Sequence, residues 1–198
     1  MTDSMQASSS LAEITNDIRA AQQLVKQDRR QGLAALNQLF RAGRPPEPPL
    51  DGPYNGELVA VDLAPGMTQL VEWLTSFWMP WKGKYLFKGD SKGDNILARE
   101  SRPILRVLFP FYRDFIEHDK GTFRAFVFTT SIDAGRADPD RKVLKIDYNS
   151  PFNPALTIRR ILDEVVQVGD GVYLGKIHFR WWWGTWKMIG YFSLHTKK

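Results

Sequence analysis

The stretch VYLGKIHFRWWWGTWKMIGYFSLHT, residues 172–196, is the part of the chain that most clearly predicts a fold. Apolar and polar side chains alternate on both sides of Gly184-Thr185, a dipeptide typical of the turn in a β-hairpin. With a two-residue turn there, Ile177 lies opposite Phe192 and Phe179 lies opposite Gly190. We therefore expect one face of the hairpin to be the wall of a core or a cavity. That face comprises Gly175, Ile177, Phe179, Trp181, Trp183, Trp186, Met188, Gly190, Phe192 and Leu194.

The other face of the same hairpin is mostly polar. In the assumed register Tyr191 lies opposite His178 and Ser193 lies opposite Lys176. A register shifted by one residue would mix the two sets of side chains, so the clean separation supports the pairing.

The preceding strand carries two adjacent carboxylates, Asp163 and Glu164. Neighbouring residues of a strand point to opposite faces, so one carboxylate must share the side of Lys176 and His178 and the other must point toward the apolar side. A lone ionised carboxylate there is costly, and Arg159 and Arg160 are the nearest partners on that strand. Two interpretations stay open: an ion pair at a barrel rim, or a polar group in an apolar cavity that orients a ligand or transfers a proton.

The pattern of alternation extends over the whole C-terminal half. Turn-type residues separate five predicted strands, which together form an antiparallel meander. The predicted strands are Thr122–Ile132, Lys142–Tyr148, Ile158–Val168, Val172–Trp183 and Trp186–Thr196.

Helical periodicity dominates the N-terminal part. A polar segment from Met1 to Ser9 is predicted to be disordered, and Ser10 and Glu13 form a capping box that predicts the start of a helix. A second helix is expected to end at Gly43, before the proline-rich connector of residues 44–49. We therefore divide the chain into residues 1–50, a helical extension with its connector, and residues 51–198, an antiparallel β-domain.

The segment between connector and meander mixes both types of structure. The predicted elements are a strand at Tyr54–Leu63, a helix at Met67–Trp78, a hairpin or exposed loop at Trp81–Asp94 and a short helix at Ile104–Phe115 that Pro110 kinks or breaks. The fold class is therefore α+β.

Composition limits the chemistry. The 198 residues include no cysteine, which excludes disulfides, thiol catalysis and cysteine-ligated zinc. No metal set, nucleotide loop or catalytic triad is recognisable, and no cofactor is predicted. The N-terminus has no secretory signal and no apolar run is long enough to span a bilayer, so we expect a cytoplasmic protein.

The run Arg180-Trp181-Trp182-Trp183-Gly184-Thr185-Trp186-Lys187 has three interpretations. Strand alternation favours core packing, with only Trp182 outside. Tryptophans beside cations at a hairpin tip also occur at membrane interfaces, so membrane association is a second interpretation. Stacking on nucleobases is the third and is not favoured, given a net charge of only +5.

Several short motifs, in this order, resemble the GXWXG-type domain family of unknown function. They are Gly52-Pro53-Tyr54-Asn55-Gly56, with Tyr54 where that motif has Trp, Trp81-Lys82-Gly83-Lys84, Asp147-Tyr148-Asn149-Ser150-Pro151, Asp163-Glu164, Tyr173-Leu174-Gly175-Lys176 and Tyr191-Phe192-Ser193-Leu194. The resemblance spans about residues 52–195. It implies that the meander closes into a calycin-like barrel that encloses a hydrophobic ligand.

Two functional hypotheses follow. The first is binding of a lipophilic small molecule in an aromatic-lined barrel. The second is an enzyme of the isomerase or cyclase type that acts on such a molecule through a buried carboxylate; a scaffold or membrane-surface protein is a further alternative. The predicted ligand-binding residues are Ile177, Phe179, Trp181, Phe192, Met188, Asp163, Glu164, Lys176, His178 and Tyr191. The sequence indicates no oligomeric state.

Overall fold

The computed structural model describes residues 2–47, 50–62 and 80–197. The helices are α1 (Thr2–Gln27), α2 (Arg29–Ala42) and α3 (Arg102–Leu108), with short 3₁₀ turns at Arg99–Ser101 and Ile158–Arg160. The strands are β1 (Gly52–Val61), β2 (Trp81–Leu86), β3 (Lys92–Ala98), β4 (Ile116–Asp119), β5 (Thr122–Ala134), β6 (Lys142–Asp147), β7 (Ile161–Gly169), β8 (Val172–Arg180) and β9 (Trp186–Thr196).

Eight of these strands close into an antiparallel barrel. The strand order is β3-β2-β1-β9-β8-β7-β6-β5, and β5 pairs back onto β3, while β4 pairs only with β5. Closure removes the free sheet edges that an open meander would expose. The α+β fold class and the closed barrel expected from the sequence are both confirmed.

The barrel interior is filled by apolar side chains that point inward from every strand. They include Phe123, Phe128, Ile177, Phe179 and Phe192, all nearly inaccessible to solvent. Strand alternation places Ile177 and Phe179 of β8 inside together. Phe123 and Phe128 of β5 are five residues apart and both point inward because a bulge between Ala125 and Phe128 interrupts the alternation. This aromatic interior is the first of two hydrophobic clusters.

The second cluster lies outside the barrel, beneath the helical hairpin α1–α2. Leu36 and Phe40 of α2 pack with Val166 of β7 and Leu174 of β8, which face away from the barrel interior. Asp28 caps α2 by accepting a hydrogen bond from the Gln31 amide at 3.0 Å. Thus the outer face of β7 and β8 is buried under helices. The division of the chain into residues 1–50 and 51–198 stays a prediction.

Helix α1 begins earlier than expected. It starts at Thr2, so Ser10 and Glu13 lie inside the helix and the predicted disorder is wrong for residues 2–9. The segment contains no proline or glycine that would stop a helix from continuing toward the N-terminus. Among the described residues, no helix is both long enough and apolar enough to cross a membrane.

Residues 44–47 and Leu50 lie at one end of the barrel. Arg44 forms a two-way backbone bridge with Gln167 of β7, with N···O distances of 3.0 and 2.7 Å. This bridge holds the chain so that Leu50 packs onto the barrel core beside Tyr54 and Tyr173. The opposite end carries the end of β1 and the connections after β3, β6 and β8. The predicted helix at Met67–Trp78 lies outside the described residues.

Candidate functional site

A cluster of polar side chains lies inside the otherwise aromatic barrel. Lys84 comes from β2, Asn95 from β3, Asp163 from β7, and Tyr148 directly follows β6. All four are almost fully buried; Lys84 is only 2% exposed and Asp163 4%. Buried charges are rare unless they are paired, so the contacts of this cluster decide what it can do.

Lys84 and Asp163 form a buried ion pair, with 2.8 Å between Nζ and Oδ2. The Lys84 ammonium also donates to the Tyr148 hydroxyl and to Asn95 Oδ1, the latter at 3.3 Å. Tyr148 in turn donates to Asn95 Oδ1 at 2.9 Å. The four side chains therefore form one connected hydrogen-bond network.

Aromatic rings surround the ammonium group of Lys84. Its Nζ lies 4.9–5.5 Å from the ring centroids of Trp81, Phe128, Tyr148 and Phe192. Cations are attracted to the faces of such rings, and the attraction is larger where water is excluded. The rings therefore stabilise the charge but offer no further hydrogen-bond acceptors.

Close backbone approaches shape this part of the wall. A Cβ on Gly56 would lie 2.3 Å from the Trp81 ring, and one on Gly175 would lie 2.2 Å from the Phe192 ring. Only glycine leaves room for these rings. Trp81 is thereby held edge-on to Phe192 at 5.5 Å, and its indole N–H donates to Asn95 Oδ1 at 3.1 Å.

A small cavity of about 20 Å³ adjoins the polar cluster, enough for about one water molecule. It is lined by Leu58, Trp81, Lys84, Asn95, Tyr148, Ile161, Asp163, Ile177 and Phe192. Among these, only Leu58 and Trp81 are half-buried, and the others are buried. The second oxygen of Asp163, Oδ1, is buried and has no hydrogen-bond partner among the described residues.

Burial favours the neutral form of all three titratable groups, Lys84, Asp163 and Tyr148. Loss of hydration lowers the pKa of Lys84, and the neighbouring Asp163 charge opposes that shift only in part. Loss of hydration likewise raises the pKa of Asp163, against the pull of Lys84. The pKa of Tyr148 lies well above its ordinary value, because of burial and the Asp163 charge. Burial thus brings the proton affinities of Lys84 and Asp163 closer together than they are in water.

The structure brings five of the predicted site residues to the barrel interior: Asp163, Ile177, Phe179, Trp181 and Phe192. Asp163 is thus the carboxylate that faces the apolar side. Its partner is Lys84 rather than Arg159 or Arg160, which corrects the expectation. Arg160 donates instead to the Arg180 and Trp181 carbonyls, at 3.3 and 3.2 Å.

Three residues assigned to the apolar face of the hairpin lie elsewhere. Residues 181–185 form a five-residue loop, so Arg180 pairs with Trp186, and Trp183 is exposed while stacking on Trp181. A bulge near Ile189 then reverses the alternation. Ile189 joins the barrel interior, whereas Met188 packs with the outer cluster and Trp186 lies against Arg136.

The remaining predicted site residues are buried on the outer face of the sheet: Glu164, Lys176, His178 and Tyr191. Glu164 Oε2 lies 3.0 Å from His178 Nε2. Lys176 Nζ donates to Asn37 of α2 at 2.7 Å and to Asp138 at 2.5 Å. The Lys176 contacts link α2 and the 135–141 turn to the barrel, and neither pair lines the interior cavity.

Sequence reasoning missed Lys84, Asn95 and Tyr148. Asp163 requires a cation nearby, but nothing local singles out Lys84 among the 27 lysines and arginines of the chain. The motifs Trp81-Lys82-Gly83-Lys84 and Asp147-Tyr148 contain two of the three residues, and that is the only signal that could have found them. Among the described residues, no group of three or more His, Cys, Asp or Glu side chains is arranged to hold a metal ion.

Another buried carboxylate, Asp94, lies on the outer side of the barrel next to Asn95. It is 1% exposed, and neither oxygen has a hydrogen-bond partner among the described residues. The nearest cation is Arg124, whose Nε lies 3.7 Å from Oδ2 while its guanidinium covers the Tyr85 ring. Burial raises the pKa of Asp94 to about 7, and Arg124 only partly offsets that shift.

Replacing Asp94 with asparagine should flatten the dependence of stability on pH. The raised pKa means that the folded state holds a proton that the unfolded state releases above pH ~4, so stability is lost as pH rises from about 4 to about 7. The variant should therefore gain melting temperature relative to the parent above pH ~7, and gain least near pH ~4. Thermal unfolding of both proteins at several pH values measures this. The exposed Asp90→Asn variant is the control, and an identical pH profile for parent and Asp94→Asn would contradict the argument.

Comparison with known proteins gives one structural likeness and no family. No family model matches the chain, and no curated protein matches it. The chain resembles a structure described as "Crystal structure of protein from Thermomonospora curvata", with 15% identity, a TM-score of 0.47, and coverage of 90% of this chain and 99% of that one.

Proposed function

We propose that the barrel binds a lipophilic small molecule that carries a hydrogen-bond donor, with Asp163 as its polar anchor. The observation that carries the proposal is the unpartnered, buried oxygen Oδ1 of Asp163 beside an aromatic cavity. A ligand hydroxyl or amine could donate to this oxygen while its apolar body contacts Trp81, Ile177 and Phe192. This agrees with the resemblance to the GXWXG-type family, whose assignment is part of the proposal.

The free-energy cost of burying the Lys84–Asp163 ion pair supports a functional role for these two residues. Burying Lys84 and Asp163 removes two charges from water, and well-packed apolar side chains of similar volume are often as stable or more stable. Folding alone therefore gives little reason for this pair. Binding of a ligand that needs a charged acceptor in an apolar setting would explain why the pair is present. Hydrogen bonds to charged groups are roughly twice as strong as those between neutral groups.

The size of the cavity defines how a ligand would enter. Its present volume of about 20 Å³ accommodates little more than water. The two half-buried residues of its lining, Leu58 and Trp81, form its outer wall. Rotation of the Trp81 side chain would enlarge the space at the cost of its hydrogen bond to Asn95 and its contact with Phe192. We therefore place the entrance beside Trp81.

Uptake of a neutral fluorescent lipophile with one N–H donor, N-phenyl-1-naphthylamine, tests the proposal. Asp163→Asn should weaken its binding about tenfold or more, because the charged acceptor is lost. Trp81→Ala, which shortens the wall, should strengthen it. Native mass spectrometry of the purified protein would show whether a lipophile is already bound.

The matched control is Glu164→Gln, which changes the adjacent carboxylate on the opposite face of the same strand. We expect this variant to bind the probe as the parent does. Thermal unfolding of each variant separates loss of binding from loss of folding. Equal binding by parent, Asp163→Asn and Glu164→Gln, all folded, would remove the anchor role of Asp163.

A second candidate is an isomerase-type enzyme that moves a proton on such a ligand. The hydrogen-bonded contact of Lys84, Asp163 and Tyr148 favours this candidate, since burial shifts the pKa of each group in the direction that favours its neutral form. Incorporation of deuterium from D₂O at the carbon next to the carbonyl of apolar ketones would reveal it. Exchange that persists in Lys84→Met and Asp163→Asn would exclude this network as its source.

A further inference from the structure

The end of the barrel opposite the connector exposes an apolar surface, which we call the apolar end. It is formed by residues 99–117, 147–160 and 180–187. Its most exposed apolar side chains are Val107, Phe111, Phe152, Leu156, Trp182 and Trp183, with Phe111 92% exposed. Single exposed apolar residues are ordinary, but a contiguous group indicates an interaction surface.

The three segments are continuous in space. Residues 108–112 and 151–157 line the two sides of an open cleft of about 450 Å³. Arg160 then joins the second segment to the third, since it donates to the Trp181 carbonyl at 3.2 Å and lies 5.9 Å from the Trp182 ring. The apolar end is therefore one surface rather than three separate loops.

Positive charge is concentrated on the same surface. The three segments contain eight arginine or lysine residues and four aspartate or glutamate residues, a net charge of +4 against +5 for the whole chain. Two of the cations, Arg99 and Arg102, pair with Glu117. Arg106, Arg113 and Arg180 are exposed beside the apolar side chains.

The combination of exposed apolar side chains and positive charge decides which binding partner fits the apolar end. A second copy of the chain would bring two surfaces of the same net charge together, which is unfavourable. A nucleic acid would use the cations and tryptophans, but it would leave Val107 and Leu156 without apolar partners. An anionic bilayer satisfies both features, because apolar side chains enter the interface while arginines meet lipid headgroups.

We propose that the apolar end docks onto anionic membrane surfaces. Trp182 and Trp183 sit at the headgroup level, Phe111 and Leu156 reach into the acyl boundary, and the arginines hold the anionic headgroups. The docking is peripheral and does not require a ligand in the barrel, so it stands apart from the function proposed above.

Co-sedimentation of the full chain with lipid vesicles tests this. We expect binding to phosphatidylcholine vesicles that contain about a third phosphatidylglycerol, weaker binding to pure phosphatidylcholine, and weakening by salt. Each neutralised arginine should lower partitioning about fivefold, so Arg106→Gln with Arg180→Gln should lower it by more than an order of magnitude. Phe111→Ser with Trp183→Ser should abolish the blue shift of tryptophan fluorescence on binding.

The matched controls lie at the other end of the barrel. Ile132→Ser removes a half-exposed apolar side chain there, and Lys88→Gln with Lys92→Gln removes two exposed charges. Both should bind vesicles as the parent does. The proposal is overturned if the parent does not bind anionic vesicles, or if the control variants lose as much binding as the variants of the apolar end. It is also overturned if Phe111→Ser instead converts a stable dimer into a monomer.

Discussion

Replacing Lys84 with methionine is expected to lower the free energy of unfolding by about 3–5 kcal/mol, as for other broken buried ion pairs. Methionine replaces the unbranched stem of lysine but leaves Asp163, which is 4% exposed in an aromatic interior, without its cation. It also removes the donor that holds Tyr148 and Asn95 in place. Chemical denaturation monitored by circular dichroism measures the loss.

The double variant Lys84→Met with Asp163→Leu separates the charge from the packing. Removing both charges should restore most of the lost stability, since apolar replacement of a buried pair is often neutral or stabilising. The exposed Lys92→Met on β3 is the control and should change stability by less than about 0.5 kcal/mol. If Lys84→Met and the control behaved alike, the ion pair would not be buried as described.

Replacing Phe192 with alanine is expected to cost about 3–5 kcal/mol, typical of a large side chain removed from a core. The ring is 2% exposed, fills the space above Gly175 and packs edge-on against Trp81. It also forms a wall of the interior cavity, so its removal enlarges that cavity beside Asp163. Stability should therefore fall while uptake of N-phenyl-1-naphthylamine rises.

Phe152→Ala, at an exposed position on the apolar end, is the matched control for Phe192→Ala and should be close to neutral. Phe179→Ala should resemble Phe192→Ala, since Phe179 is equally buried in the same cluster. A loss below about 1 kcal/mol at both Phe179 and Phe192 would show that the barrel core is packed differently.

Local alternation was enough to predict the inward face of β8 and the opposite orientation of Asp163 and Glu164. The predicted hairpin register was two residues from the observed one, in which Ile177 pairs with Gly190. A shift of two keeps every side chain on its face, which is why the interior position of Phe192 was still correct. From the bulge near Ile189 toward the turn, the predicted faces of β9 are wrong. The extra residue there moves each side chain to the opposite face of the sheet, so Met188 lies outside.

The burial of the polar face was beyond sequence reasoning for a different reason. The sequence placed Lys176 and His178 on a mostly polar face, but both are buried, and Lys176 reaches Asn37 of α2, which is 139 residues away. Whether a helix lies over a sheet depends on how distant segments pack, which a local period does not encode.

The sequence by itself determined the antiparallel strands, their inward faces and the presence of one carboxylate on the apolar side, because side-chain direction in a strand follows a two-residue period. Only the tertiary structure decided that this carboxylate is Asp163 and that Lys84, 79 residues away, neutralises it. The pairing of β5 with β3 closes the barrel and places β2 across from β7. Such contacts depend on barrel closure, a property of the whole chain, and so they leave no trace in the spacing of neighbouring residues.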